Sequence, residues 1–132
     1  MGNRAVITFM QADSAPCIYL HWNGGRASVK AFLRAARDLG MRRIDSKNQH
    51  QIMDAMADMI GKSFFGNDVG LGVYRQTYGE SDTDNWDNGV YVLGFDMDIC
   101  GRRFERHGEE VDSEKTQAIY EQIMARAPVY NQ

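Results

Sequence analysis

Hydrophobic and polar positions change period several times along this chain, and each change marks an element. Residues Arg4 to Met10 are rich in β-branched and aromatic types, and Cys17 to Trp22 repeats that character after a polar interval containing Pro16, so the pair predicts a hairpin. Beyond the break at Asn23-Gly24-Gly25, Val29, Phe32, Leu33 and Ala36 recur at helical spacing, with Gly40 as the stop. Ser46 followed by Gln49 has the spacing of a capping box and predicts a second helix. Its stripe is Ile52, Met53, Met56, Met59 and Ile60, with Gly61 closing it and Phe64 and Phe65 adding core bulk. Met fills irregular cores, so the methionines are assigned to packing.

Strand character returns at Val69 to Gln76, Val90 to Phe95 and Ile99 to Glu105, three runs that predict a meander. A final helix starts near Asp112 or Ser113, buries Ile119, Tyr120, Ile123 and Met124, and ends before Pro128. The order is β-β-α-α-β-β-β-α. It predicts an α+β fold: a mainly antiparallel five-stranded sheet packed against helices. At 132 residues, with no linker or repeat, the expectation is a single domain over 1–132.

Composition narrows the functional classes. With 43% hydrophobic and 25% charged residues the chain should fold, and a net charge of -3 argues against sequence-independent nucleic-acid binding. Arg34, Arg37, Arg42 and Arg43 nevertheless form a local basic cluster, with Arg102, Arg103 and Arg106 as a second. Cys17 and Cys100 lie far apart, which fits a reducing cytoplasm, and no run of about 20 apolar residues predicts a membrane span.

The densest chemistry lies in Asp82-Thr83-Asp84-Asn85-Trp86-Asp87-Asn88-Gly89. Calcium registers starting at Asp82 or Asp84 fail, because Leu93 or Phe95 falls where a bidentate Glu is needed. Three readings remain: a connection whose Asp and Asn side chains satisfy local backbone, a recognition loop in which Trp86, ringed by Asp82, Asp84, Asp87 and Asn88, anchors a basic protein surface, or, least favoured, a metal site completed by distant ligands. Asn23, Gly24, Gly25 and Arg26 stand where a strand meets a helix N-terminus, a candidate anion cradle. Gly61-Lys62-Ser63 resembles the tail of a phosphate-binding loop but follows a helix where it should precede one. Cys17 and His21 share one side of an extended strand and offer a nucleophile and base that still need an orienting group; His50 and His107 are remote in sequence. No metal-ligand spacing and no cofactor motif is present, so none of either is expected.

Three stretches, Gly2 to Phe9, Ile18 to Gly25 and Asp84 to Val92, resemble a group of small proteins carried by phages and prophages. The resemblance covers about a fifth of the chain and carries over no catalytic residue. It implies an accessory protein of the anti-defence kind, including inhibitors of CRISPR systems, acting by occupying a protein of the bacterial host. The leading expectation is therefore a non-enzymatic inhibitor working through the Asp82–Asn88 loop in the host cytoplasm. The alternative is a small-ligand or nucleotide binder using Asn23–Arg26, and the third a small enzyme using Cys17 and His21.

Overall fold

A computed structural model describes residues 3–64, 72–106 and 111–126. The elements are β1 (Ala5–Thr8), β2 (Pro16–Leu20), α1 (Arg26–Asp38), α2 (Gln49–Phe64), β3 (Val73–Thr77), a 3-10 turn over Tyr78–Glu80, β4 (Val90–Leu93), β5 (Ile99–Arg103) and α3 (Ser113–Met124). The fold is α+β, with the short 3-10 turn as an unexpected insertion. The segment 69–71 of the expected third strand, and Phe65, His107 and Pro128, lie outside the described residues.

The strands form one five-stranded sheet in the order β3-β2-β1-β4-β5. The β1–β2 hairpin forms, with Ala5 opposite Leu20 and Thr8 opposite Cys17. The expected meander does not. Only β4 and β5 pair; β3 instead joins β2 at the opposite edge, and β4 lies parallel to β1, with Val6 opposite Val90. The sheet is therefore mixed, with its central strand β1 antiparallel to β2 and parallel to β4.

Alternation along the strands explains two clusters of unequal size. Ala5, Ile7, Ile18, Leu20, Val73, Tyr91 and Leu93 face the helices and join Phe32, Leu33, Met53, Met56, Met59, Ile60, Ile119 and Ile123 in the main core. The methionine stripe is thus core. On the other face Val6, Cys17, Tyr78 and Val90 form a smaller cluster flanked by Tyr19 and Val92. Since β1 is covered on both faces, all four of its residues are buried.

Local signals set the helix ends. After α1, Gly40 takes φ 111°, and the Gly40 and Met41 N–H groups donate to Arg37 and Ala36 carbonyls, the double closure of a Schellman motif. The box before α2 is Asp45–Asn48, one residue earlier than Ser46–Gln49: Asp45 N–H donates to Asn48 Oδ1 and Asn48 N–H to Asp45 Oδ1, both at 2.8 Å. These bonds hold the Asp45 carboxyl below its ordinary range, the Asn48 bond first and that from Lys47 N–H second. Gly61 does not end α2, which runs to Phe64 because Met59 and Ile60 still face the core. Lys62 and Ser63 therefore sit inside its last turn. Asp112 caps α3, accepting from Lys115 N–H at 3.0 Å; Ile119 and Ile123 are buried, whereas Tyr120 and Met124 are half-buried.

Candidate functional site

Residues 78–89, twelve in all, carry the chain from one edge strand to β4. Because β3 and β4 run parallel, with β2 and β1 between them, this connection is a crossover of about three strand spacings, roughly 14 Å. It crosses the face opposite the helices, where Tyr78 packs on Val6, Cys17 and Val90. A loop laid on a sheet has to satisfy its own backbone. Asn85 does so here: fully buried, its Nδ2 donates to the Asp82 and Gly89 carbonyls, and its Oδ1 accepts from Asp87 and Gly89 N–H.

The loop residues then divide. Asp87 is buried and accepts from the Arg4 side chain at 2.8 Å and from Arg4 N–H at 3.1 Å. Asn88 is also buried, bonded to Asn3 and to the Arg4 carbonyl. Asp84 is half-buried and accepts a two-pronged contact from Arg106. Asp82 is exposed. Trp86 is 66% exposed, at φ 65°, with the Arg106 guanidinium 4.4 Å from its ring centre. A bulky residue at positive φ is uncommon and costs about 1–3 kcal/mol.

The second candidate loop meets the first. Asn3 N–H donates to the His21 carbonyl, Gly24 N–H donates to the Asn3 carbonyl at 2.7 Å, and Asn88 Nδ2 donates to Asn3 Oδ1. From the core, Tyr91 hydroxyl donates to the Gly24 carbonyl at 2.7 Å. Gly24 is required here because a Cβ would collide with the Asn3 carbonyl. Both of its backbone polar groups are engaged, so its amide is committed to the fold and not to an anion. Gly25 is the N-cap of α1 without a side-chain cap, Asn23 takes φ 59°, and Arg26 is half-buried. Beside them Trp22 is 44% exposed, its ring edge-on to His21 with centres 4.5 Å apart. Two tryptophans thus stand at the same end of the sheet, after β2 and before β4, on segments joined through Asn3 and Arg4.

Cys17 and His21 do not meet. Cys17 lies in the smaller cluster, whereas His21 Nδ1 faces the Tyr19 hydroxyl at 3.2 Å. Burial pushes the Cys17 thiol up to about 11, partly opposed by a hydrogen bond from Ser81, so it stays protonated near neutrality. The first arginine cluster also separates. Arg34 donates to Gln117 and stacks over Tyr120, Arg37 donates to the Met97 carbonyl, and Arg42 and Arg43 are exposed, with Arg43 over Phe95. Among the described residues no group of three or more His, Cys, Asp or Glu side chains could hold a metal ion. None of their helices is long and apolar enough to cross a membrane.

Sequence patterns did not single out Asn3, Arg4 or Trp22, and gave Arg106 only as a member of a basic cluster, not as a partner of Asp84 and Trp86. Only Trp22 carried a local signal, as an aromatic beside a turn; the others act across more than 20 residues. Comparison with family models, with curated proteins and with solved structures finds no match.

Proposed function

We infer that this is a non-enzymatic binding protein that inhibits a bacterial host protein by seating Trp86 in a pocket of that partner. The observation that supports it is the exposure of Trp86 at a positive φ that Asn85 and its four hydrogen bonds enforce. Backbone strain retained to hold the largest apolar side chain in water suits presentation, and Trp is enriched among interface hot spots. Trp22, also exposed, stands at the same end of the sheet.

The electrostatics modify the expected partner. Asp84 and Asp87 are paired with Arg106 and Arg4, so an aromatic anchor on a nearly neutralised rim replaces the acidic loop seeking a basic surface. Of the three loop carboxylates, Asp82 is the exposed one. The resemblance to phage proteins makes a defence complex such as a CRISPR effector the first partner to test.

Affinity capture from a bacterial host followed by calorimetry is the experiment. Trp86→Ala should weaken binding by 2 kcal/mol or more, about thirtyfold, as at a hot spot. Unchanged affinity in both Trp86→Ala and Trp22→Ala would remove this surface from consideration. The alternative anion-binding reading of Asn23–Arg26 lacks the Gly24 donor it needs.

A further inference from the structure

At the Gly72–His21 end of the β2–β3 pair, on the face turned away from the helices, four rings stand in a row: Tyr74, Tyr19, His21 and Trp22, with successive centres 6.0, 6.2 and 4.5 Å apart. We propose that this row binds a proline-rich segment of another protein in its polyproline II form, with a basic residue of that segment beside Asp82.

Strand register builds the row. Tyr19 and Tyr74 are cross-strand partners, so they project from one face, where Tyr19 flanks the smaller cluster. His21 returns to that face two residues on, its Nδ1 3.2 Å from the Tyr19 hydroxyl, and Trp22 stands edge-on to it. Tyr74 and Trp22, at the two ends, are 40% and 44% exposed, with Tyr19 and His21 half-buried between them. Among the described residues nothing bonds the Trp22 Nε1–H or the Tyr74 hydroxyl. The row therefore offers flat apolar surface with outward donors. A polyproline helix is the complement, since its carbonyls have no internal partners and its segments dock on aromatic-lined surfaces. Its rise of about 3.1 Å per residue brings every second residue to a ring along the steps of 6.0 and 6.2 Å. A sugar would also stack here, but it brings hydroxyl donors that these two donors cannot answer.

Charge sets what flanks the prolines. Asp82 is exposed and joins no ion pair among the described residues. It lies close enough to push the Tyr19 hydroxyl up further after burial has done so, and Arg4, the cation that opposes this, is already held by Asp87. Asp82 is thus left for an incoming Lys or Arg.

The test is NMR titration of the full chain with a capped peptide of about ten prolines carrying one Arg, the same peptide without Arg, a Gly-Ser peptide carrying one Arg, and cellohexaose. Saturable shifts of the Tyr19 and Tyr74 amides and the Trp22 indole N–H are expected with the Arg-bearing proline peptide and not with the Gly-Ser peptide. Trp22→Phe and Tyr74→Phe keep the rings and remove the donors, and each should weaken binding about threefold to tenfold. Asp82→Asn should abolish the advantage of the Arg-bearing peptide over plain polyproline. No saturable shift with the proline peptides, an equal response to the Gly-Ser peptide, tighter binding of cellohexaose, no advantage from Arg, or unchanged affinity in both Trp22→Phe and Tyr74→Phe would overturn the proposal. Trp86→Ala leaves this binding intact, because none of the four rings lies in the 78–89 connection, so failure here and failure of the Trp86 reading are separate results.

Discussion

Asn88 holds the Arg4 carbonyl twice, with its backbone N–H at 3.0 Å and its side-chain Nδ2 at 3.2 Å. This places the crossover on the first strand independently of any charge. Asn88→Ala keeps the backbone bond and removes the side-chain ones, leaving the Asn3 side chain without its partner. A loss of about 1–3 kcal/mol in denaturant unfolding is expected, and a change below about 0.5 kcal/mol would show that the anchor is redundant.

Trp86→Gly separates presentation from stability. Glycine relieves the positive φ, worth about 1–3 kcal/mol, against about 0.5–1 kcal/mol for its greater freedom in the unfolded chain and about 0.5–1 kcal/mol for the lost exposed stack on Arg106. The variant should match or exceed the parent in stability while losing the partner, as a melting curve and a binding isotherm together would show. A large drop in stability would mean that the indole serves the fold.

Gly89 has no substitute. It takes φ 64°, and a Cβ would collide with the Arg103 carbonyl, so Gly89→Ala should cost about 3 kcal/mol or more. Gly101 in β5 is the control: a Cβ there meets nothing nearer than 3.6 Å, and Gly101→Ala should be close to neutral in the same assay.

Alkaline pH should destabilise the protein. Burial raises the Cys17 thiol from 9.0 to about 11, so between these values the unfolded chain loses a proton that the native state keeps, and stability falls as pH rises. Tyr19, raised by burial, and Tyr120, raised by its bond to Asp38, act in the same direction above their ordinary value. Below pH 9, alkylation followed by mass spectrometry should modify exposed Cys100 and spare Cys17. Rapid labelling of native Cys17 would contradict its burial.

The capping register has a simple readout. Asp45→Ala should lower the melting temperature and Ser46→Ala should change stability by less than about 0.5 kcal/mol, because the box uses Asp45 and Asn48. The depressed Asp45 carboxyl contributes stability above its ordinary range, and that contribution is lost as pH falls through the folded value. A flat response to acid in the Asp45→Ala difference would refute the assignment.

What the sequence disclosed was local. Period and stop signals found the hairpin, the Gly40 terminus, the methionine face of α2 and the Asp112 cap, since each is decided within a turn or two of chain. The β1–β4 pairing escaped because nothing near Val6 encodes Val90 as its neighbour, and three consecutive strand patterns read most simply as a meander. The ion pairs of the acidic loop are invisible locally for the same reason. Asp84 and Asp87 look solvated until Arg106 and Arg4 are brought to them. The length of the connection, long enough for a crossover and rich in amides, was the clue that the segment had to solvate itself.

The pairing of Val6 with Val90 also governs assembly. A central strand drawn from the start of the chain gains its second neighbour only after two helices and an edge strand have been made, so closing the sheet waits on a loop of some 80 residues. Folding should be slow for a chain of this size. Fragments cut between α2 and β3 should need mixing before either acquires native order.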